Sequence, residues 1–240
     1  SATIGTGLTV DSVLVGNGGG NTGSLTVNGG TVNIGSGAAN HNFIVGKNTG
    51  SSGSASGTVD FSGASSTAID VNLFHVGDKG NTGGGSARGR VTLAADNVIT
   101  ANQVVVGKSG NNGFDNPSQQ SQLHLGGGTT TITTPSLLVG ERKTTGLIDF
   151  TTPGGTLNLG SNANRTDILL GHKNTSTANN ADGTMDLSGG TANIFASNLT
   201  IALESTNSNS GSPSGSLIID AGSLDVSGNT LIGSGSDANG

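Results

Sequence analysis

Three titratable side chains occupy the same place in three apolar–polar–apolar triplets. The triplets are Leu123-His124-Leu125, Ile148-Asp149-Phe150 and Met185-Asp186-Leu187. If each triplet is a β-strand, its middle residue points away from the core, and pairing between the strands brings the middle residues about 5 Å apart. A histidine that lies beside two carboxylates at this distance could hold a cation or act as part of an acid–base pair.

The same three residues have a second interpretation that requires no chemistry, and it is the one we favour. Two hydrated carboxylates can turn apart to relieve their repulsion, which leaves His124 as an ordinary surface residue. The chain has no Trp, Tyr or Cys, and it lacks the HExxH and GxSxG motifs. No GxGxxG run follows a strand and opens a helix, because the sequence has no helical periodicity, so the glycine runs are expected at corners. We therefore expect no catalytic residue, no cofactor and no metal, and the candidates for a metal site are His124, Asp149 and Asp186.

A second set of charged residues alternates in sign along the chain. Each lies just after a short run of apolar residues that ends, in all copies but one, with a glycine. The members are Lys47, Asp78, Lys108, Glu141, His172 and, one place later, Glu204. If consecutive repeats stack, every turn offers its neighbour an opposite charge. An exposed pair of this kind contributes about 0–1 kcal/mol, but the alternation also penalises a slipped register. Three further lysines lie close to this set, at Lys79, Lys143 and Lys173.

Both sets of charges come into register only if the chain repeats, and the clearest sign of a repeat is a short apolar run closed by glycine, which we call strand one. Gly16 and Gly46 are 30 residues apart, and Gly107 and Gly140 are 33 apart. The run occupies residues 13–16, 43–46, 74–77, 104–107, 137–140, 168–171 and 231–233, with a degenerate copy at 199–202 that ends in Ala202. A period that stays near 31 residues while the loops vary is typical of a stacked repeat.

Two more short strands follow in each repeat. Strand two is represented by Leu25-Thr26-Val27 and strand three by Val32-Asn33-Ile34, and strand three is less clear around Val98-Ile99 and Thr131-Ile132. Three strands per coil, each pairing with its equivalent one coil away, predict an all-β fold. We expect a parallel β-helix (β-solenoid) of about eight coils of roughly 31 residues each, right-handed by the crossover rule. Eight coils give a rod about 35–40 Å long.

The composition agrees with this fold and excludes several other classes. Of the 240 residues 44 are Gly, but glycine has no three-residue period, which excludes a collagen. The regular return of Val, Ile and Leu in strand-length runs argues against disorder. The net charge of −6 and the isoelectric point near 4.9 argue against nucleic acid as a partner. Because no apolar run approaches about 18 residues, we expect no membrane span in this segment.

The repeat resembles one found in known bacterial proteins. Two of its copies contain Gly23-Ser24-Leu25-Thr26-Val27-Asn28-Gly29-Gly30 and Gly183-Thr184-Met185-Asp186-Leu187-Ser188-Gly189-Gly190. They are similar to the repeat of roughly 30 residues shared by autotransporter passengers and PEP-CTERM-associated surface proteins. The resemblance covers the whole chain, and it implies an extracellular or cell-surface β-helix with an adhesive or structural role. It brings no catalytic motif with it.

Strand one also differs from strand two in its outward residues. Where strand two is mostly polar, the outward residues of strand one include six aliphatic side chains, Leu14, Ile44, Val105, Leu138, Leu169 and Leu231. On a parallel stack these residues form one stripe. We expect it to be an assembly face that packs against a neighbouring solenoid, and the alternative is that the loops of the chain itself cover it.

These observations together predict a structural, non-enzymatic protein. We expect residues 1–240 to be a single solenoid segment, uncapped at both ends and part of a longer or end-to-end stacked assembly. Its function would be that of a fibre, stalk or surface layer outside the cell or on its surface. One alternative is an adhesin whose variable loops, including the long one between Gly107 and Leu123, bind a host or neighbouring cell surface. The other is a carbohydrate-active enzyme that uses Asp149 and Asp186.

Overall fold

A computed structural model describes residues 1–50, 52–80, 85–109, 120–174, 180–205 and 211–235. All regular secondary structure in these residues is β-strand, and every strand pairing between them is parallel. Within the same residues, no helix long and apolar enough to cross a lipid bilayer is found. Most of the long loop between Gly107 and Leu123, on which the adhesin alternative partly depends, lies outside the described residues.

The strands are numbered in chain order. The first ten are β1 (Ala2–Ile4), β2 (Leu8–Val10), β3 (Val13–Asn17), β4 (Thr22–Val27), β5 (Thr31–Gly35), β6 (Asn42–Asn48), β7 (Ala55–Asp60), β8 (Ser66–Lys79), β9 (Ala87–Thr92) and β10 (Asp96–Lys108). The others are β11 (Ser121–Leu125), β12 (Thr129–Thr133), β13 (Ser136–Glu141), β14 (Thr145–Phe150), β15 (Thr156–Leu159), β16 (Thr166–Lys173), β17 (Ala181–Glu204), β18 (Pro213–Val226) and β19 (Thr230–Ser234).

Long strands turn a corner and contribute to more than one face of the solenoid. β8 and β10 each supply a strand three and then a strand one, and β17 runs through all three positions. Each face stacks its strands one coil apart in the predicted register, for example with Val45 opposite Val76 and Val106 opposite Val139. The predicted fold class, a parallel β-solenoid with a period near 31 residues, is confirmed.

The number of coils is close to the prediction. In the described residues, strand one, strand two and strand three each recur eight times. The first and the last of these coils have a neighbour on one side only. About six complete turns therefore have a neighbouring turn on both sides. This number is slightly smaller than the eight coils expected from the sequence, because the first and last coils are not counted in it. The degenerate copy is a regular member of the stack, because Leu199 lies opposite Ile168 on one side and opposite Thr230 on the other.

The glycine that closes strand one is required by a close approach between coils. Gly171 has a φ of 69°, in the left-handed region, and a Cβ at this position would collide with the carbonyl oxygen of Ser214 on the coil above. Gly46 and Gly140 are in the same conformation and would collide with the backbone of Arg88 and Asp182 in the same way. The glycine therefore makes the corner and lets the next coils stack over it.

The interior is a column of aliphatic side chains with an aromatic cluster near one end. Val45, Val76, Val106, Val139 and Leu170 are each at most 1% exposed. Phe43 and Phe74 stack on adjacent coils, with ring centroids 4.7 Å apart and an interplanar angle of 15°. Burial of these side chains supplies the main free energy that holds the coils together.

One part of the interior is polar, which the sequence did not indicate. On the strand-three face, Asn97 is 3% exposed and lies between Thr67 and Thr130. Oδ1 of Asn97 accepts a hydrogen bond from the Thr67 hydroxyl at 2.7 Å, and Nδ2 donates to the Thr130 hydroxyl oxygen at 2.9 Å and to the Ala94 carbonyl at 2.9 Å. Because the side-chain polar atoms of Asn97 all have hydrogen-bond partners, this row of three polar residues fixes the register of three coils without leaving a buried amide group of Asn97 unpaired.

Candidate functional site

The structure brings together two of the three residues named as metal candidates. Strand β11 places His124 opposite Asp149 on β14, and Nδ1 of His124 donates a hydrogen bond to Oδ1 of Asp149 at 2.5 Å. His124 is only 8% exposed, so the expectation of an ordinary surface residue is wrong. Its other ring nitrogen, Nε2, is buried and has no hydrogen-bond partner among the described residues. The hydrogen bond to the carboxylate of Asp149 holds the imidazole ring of His124 against the neighbouring strand, where the ring is buried.

The third candidate is turned away from this pair. Asp186 lies opposite Asp149 in the register, but its Oδ1 accepts hydrogen bonds from the hydroxyl of Ser188 at 2.6 Å and from the Ser188 backbone at 3.1 Å. The two carboxylates therefore have separate partners, which relieves the repulsion expected from their spacing. Among the described residues, no group of three His, Cys, Asp or Glu side chains is arranged to hold a metal ion.

A recess of about 410 Å³ lies on the same face, between β7 and β9. It is lined by Ser56, Gly57, Thr58, Asp60, Arg88, Arg90 and Thr92. The register pairs small residues of β7 with larger ones of β9, Ser56 with Arg88 and Thr58 with Arg90, so that the short side chains form the depression and the two arginines border it. These arginines were not predicted as site residues from the sequence, although their i, i+2 spacing on a strand places them on one face.

The alternating charges after strand one form the predicted ladder. The register places Lys47 opposite Asp78, Asp78 opposite Lys108, and Lys108 opposite Glu141. Nζ of Lys108 lies 3.7 Å from Oε2 of Glu141. His172 continues the ladder opposite Glu141.

Asp78 of the ladder contacts a histidine of its own strand. Its Oδ2 lies 3.0 Å from Nδ1 of His75, whose Nε2 lies 3.2 Å from Oε1 of Gln103. Burial alone would raise the pKa of Asp78, but the hydrogen bond and charge of His75, together with Lys108 and Lys47, outweigh it and hold that pKa below its usual value. The ladder is therefore an electrostatic contact between coils.

The last member of the ladder pairs with a buried lysine. Because Leu203 occupies the place opposite His172, Glu204 falls one place later and lies opposite Lys173. Nζ of Lys173 is 3.2 Å from Oε1 of Glu204, and the two side chains are 0% and 1% exposed. Lys173 also donates to the carbonyl of Gly211. Lys79 and Lys143 are likewise buried, so the lysines beside the ladder are not surface residues.

The aliphatic stripe of strand one is not one exposed face, and that part of the prediction is wrong. Ile44 is 5% exposed and Val105 is fully buried, while Leu138 and Leu169 are half-buried. In the coil that has His75 at this position, the outward side chain is buried against Asp78 of the charged ladder, three places later.

The exposed members of the stripe are in the first and last coils. Leu14 is 52% exposed and Leu231 is 42% exposed. Leu14 also lines a cavity of about 480 Å³ together with Leu8, Val10, Val13, Val15 and Leu25. In the last coil, core-column residues are open to solvent, with Leu224 41% and Ile232 58% exposed. Both ends of the described stack therefore present apolar side chains and unpaired strand edges.

The chain matches no protein-family model, no curated protein and no solved structure. The resemblance of its repeat to that of bacterial surface proteins therefore stays a prediction. The fold is established by the strand pairing itself, and a fold of this kind hosts many functions.

Proposed function

We propose that this chain is a structural protein that assembles end to end, with a fibre, stalk or surface layer as the product. We place it outside the cell or on its surface, where the resemblance of its repeat puts it, and we assign it no enzymatic activity. The observation that carries the proposal is that the first and last coils of the described residues expose apolar side chains of kinds that the middle coils bury. The lateral contact expected from the strand-one stripe is left out, because that stripe is covered in the middle coils.

The ends are complementary because all the strands run parallel. Leu224 and Ile232 belong to the same interior columns as Ile194 and Ile201, which are 0% and 8% exposed. A second copy stacked on the last coil through its first coil would bury Leu224 and Ile232 in the same way, and β1, β2 and β3 would pair with the free edges of β18 and β19. Such a head-to-tail contact uses two different surfaces and does not close on itself, so it produces a filament.

A variant at one end tests this proposal. Ile232→Lys places a charge on the last coil at a residue that is already 58% exposed, so the fold should tolerate it while stacking should not. The matched control is Val98→Lys, which makes the same change at a 55% exposed residue on the side of a middle coil. Sedimentation velocity should show concentration-dependent oligomers for the parent and for Val98→Lys, and monomers for Ile232→Lys.

Mixing two end variants sharpens the test. Ala2→Lys alters the exposed residue of the first coil and should also give monomers. Because each variant keeps one intact end, a mixture of Ala2→Lys and Ile232→Lys should form dimers and nothing larger. A parent that stays monomeric at all concentrations would contradict the proposal, as would an Ile232→Lys protein that assembles like the parent and melts at the same temperature.

A further inference from the structure

The recess between β7 and β9 combines features that the proposed assembly does not use. Arg88 and Arg90 border it, and within the described part of the chain neither guanidinium lies within ion-pair distance of a carboxylate or makes a hydrogen bond. Asp60 is the one carboxylate among the lining residues, and it accepts a hydrogen bond from the backbone of Ser62. The recess therefore offers two positive charges against one carboxylate, in a chain whose net charge is −6.

The remaining lining groups suit a ligand rich in hydroxyls. Ser56, Thr58 and Thr92 present hydroxyl groups that donate and accept hydrogen bonds. The polar surface continues onto the next coil, where Gln122 lies opposite Arg90 and His124 lies opposite Thr92. Oε1 of Gln122 and Nε2 of His124 are both buried, and within the part of the chain that the structure describes neither has a hydrogen-bond partner, so this row has unused hydrogen-bonding capacity.

The spacing of the solenoid favours a polymer with a short repeat. Equivalent side chains recur every coil, about 4.8 Å apart, which is close to the length of one sugar ring along a polysaccharide. Nucleic acid is disfavoured, because Asp60, Asp149 and Asp186 on the same face repel a densely charged backbone and the recess has no aromatic side chain to stack on bases. A saccharide with widely spaced anionic groups meets neither objection.

We propose that this recess binds a linear polysaccharide carrying carboxylate or sulfate groups. One anionic group lies between Arg88 and Arg90, because the planar guanidinium binds such oxygens through paired hydrogen bonds. The sugar hydroxyls meet Ser56, Thr58, Asp60 and Thr92. This binding is independent of the end-to-end assembly, since the recess is on the side of the stack between the third and fourth coils.

Isothermal titration with defined oligosaccharides tests the proposal. The probes are an oligogalacturonate for carboxylate, a heparin oligosaccharide for sulfate, a maltooligosaccharide as the neutral control and polyglutamate as an anion without sugar. At least one of the two anionic saccharides should bind, more weakly at higher salt, and the neutral sugar and polyglutamate should bind at least tenfold more weakly. No binding of either anionic saccharide, or equal binding of polyglutamate or of the neutral sugar, would overturn the proposal.

Variants locate the site. Arg88→Gln and Arg90→Gln should each lower the affinity about tenfold, the loss of a charged hydrogen bond. Lys47→Gln removes the same charge outside the recess and should leave the affinity within about twofold. Thr58→Trp fills the recess at an exposed residue without changing its charge and should abolish binding even if an arginine variant folds poorly. Unchanged affinity in both Arg90→Gln and Thr58→Trp would refute the assignment.

Discussion

Ala202 is the residue at which the repeat departs from its own rule. Six strand-one corners before it are closed by glycine, whereas Ala202 adopts a φ of 57°, in the left-handed region that an alanine enters at a cost of about 1 kcal/mol or more. Its methyl group is fully buried. The sequence identified this copy as degenerate, and the structure shows that its backbone keeps the glycine conformation nevertheless.

A reciprocal pair of substitutions measures what the corner requires. Ala202→Gly relieves the backbone strain, which stabilises the folded chain, but glycine also has more conformational freedom in the unfolded chain, which opposes this gain. The net result should be a rise of about 0.5–1 kcal/mol in the free energy of unfolding. Gly171→Ala should lower it by about 3 kcal/mol or more, because the new Cβ meets the backbone of Ser214. Urea unfolding followed by circular dichroism measures both values. Equal effects of the two substitutions would contradict the role given to the corner.

The buried ion pair between Lys173 and Glu204 permits a second test. Glu204→Gln leaves a lysine that is 0% exposed without its carboxylate, and we expect the free energy of unfolding to fall by about 3 kcal/mol. Lys108→Gln is the control, because the 3.7 Å pair with Glu141 is partly open to water and contributes about 0–1 kcal/mol. A loss in Glu204→Gln no larger than that in the control would show that Lys173 keeps its other contacts and does not need the carboxylate.

Individual side-chain environments were only partly predictable from the sequence. The alternation correctly placed Asp149 and Asp186 on one face, because side-chain direction follows from the strand alone. It could not show that His124 is buried against Asp149 while Asp186 turns to Ser188, because both contacts depend on rotamers chosen among neighbours from other coils. The recess beside Arg88 and Arg90 was not predicted either, although the spacing of the two arginines and the small size of Ser56 and Thr58 one coil earlier are both visible in the sequence.

At the scale of the elements, the ladder beside strand one makes the stack sensitive to acid. Burial lowers the pKa of His172 below its usual 6.5, and although the charge of Glu141 opposes this effect, Arg142 adds to it. The unfolded chain therefore binds a proton at a higher pH than the folded chain does. This contribution to stability is complete above pH 6.5 and is lost as the pH falls below it. The depressed pKa of Asp78 adds a second loss at lower pH, beneath the usual range of a carboxyl group.

The pH dependence can be assigned with one substitution. The urea midpoint of the parent should fall between pH 7 and pH 5, and in His172→Gln that fall should be smaller, while the further loss near pH 3 should remain. An unchanged slope in His172→Gln between pH 7 and pH 5 would assign the effect to another group. A midpoint that rises as the pH falls would contradict the direction of both shifts.

The positions and pairing of the strands could be predicted from the sequence more completely than the contacts of their side chains. The period of about 31 residues fixed which residues pair, and strand one has the predicted register in every coil. Strand three was uncertain around Val98 and Ile99 because the inward position before them is Asn97, a polar residue that breaks the alternation. Only the hydrogen bonds with Thr67 and Thr130 on adjacent coils make that position acceptable in the interior, and they depend on the stack.

At the scale of the whole molecule, the described residues form a rod whose middle coils bury their apolar side chains more fully than its first and last coils do. On the strand-one side, Ile44 and Val105 of the middle coils are buried, and Leu138 and Leu169 are half-buried. At the ends, the apolar columns of Leu224 and Ile232 and the cavity beside Leu14 remain open. Large exposed apolar surfaces and free strand edges favour association, so the ends are where partners are expected to bind.

Electron microscopy over a range of protein concentrations tests end-to-end assembly most directly. One copy with eight coils should be a rod about 38 Å long. Stacking predicts rods whose lengths are multiples of this value and whose mean length grows with concentration, without a matching increase in width. Single rods of about 38 Å at every concentration would contradict the account, and so would aggregates that grow only in width.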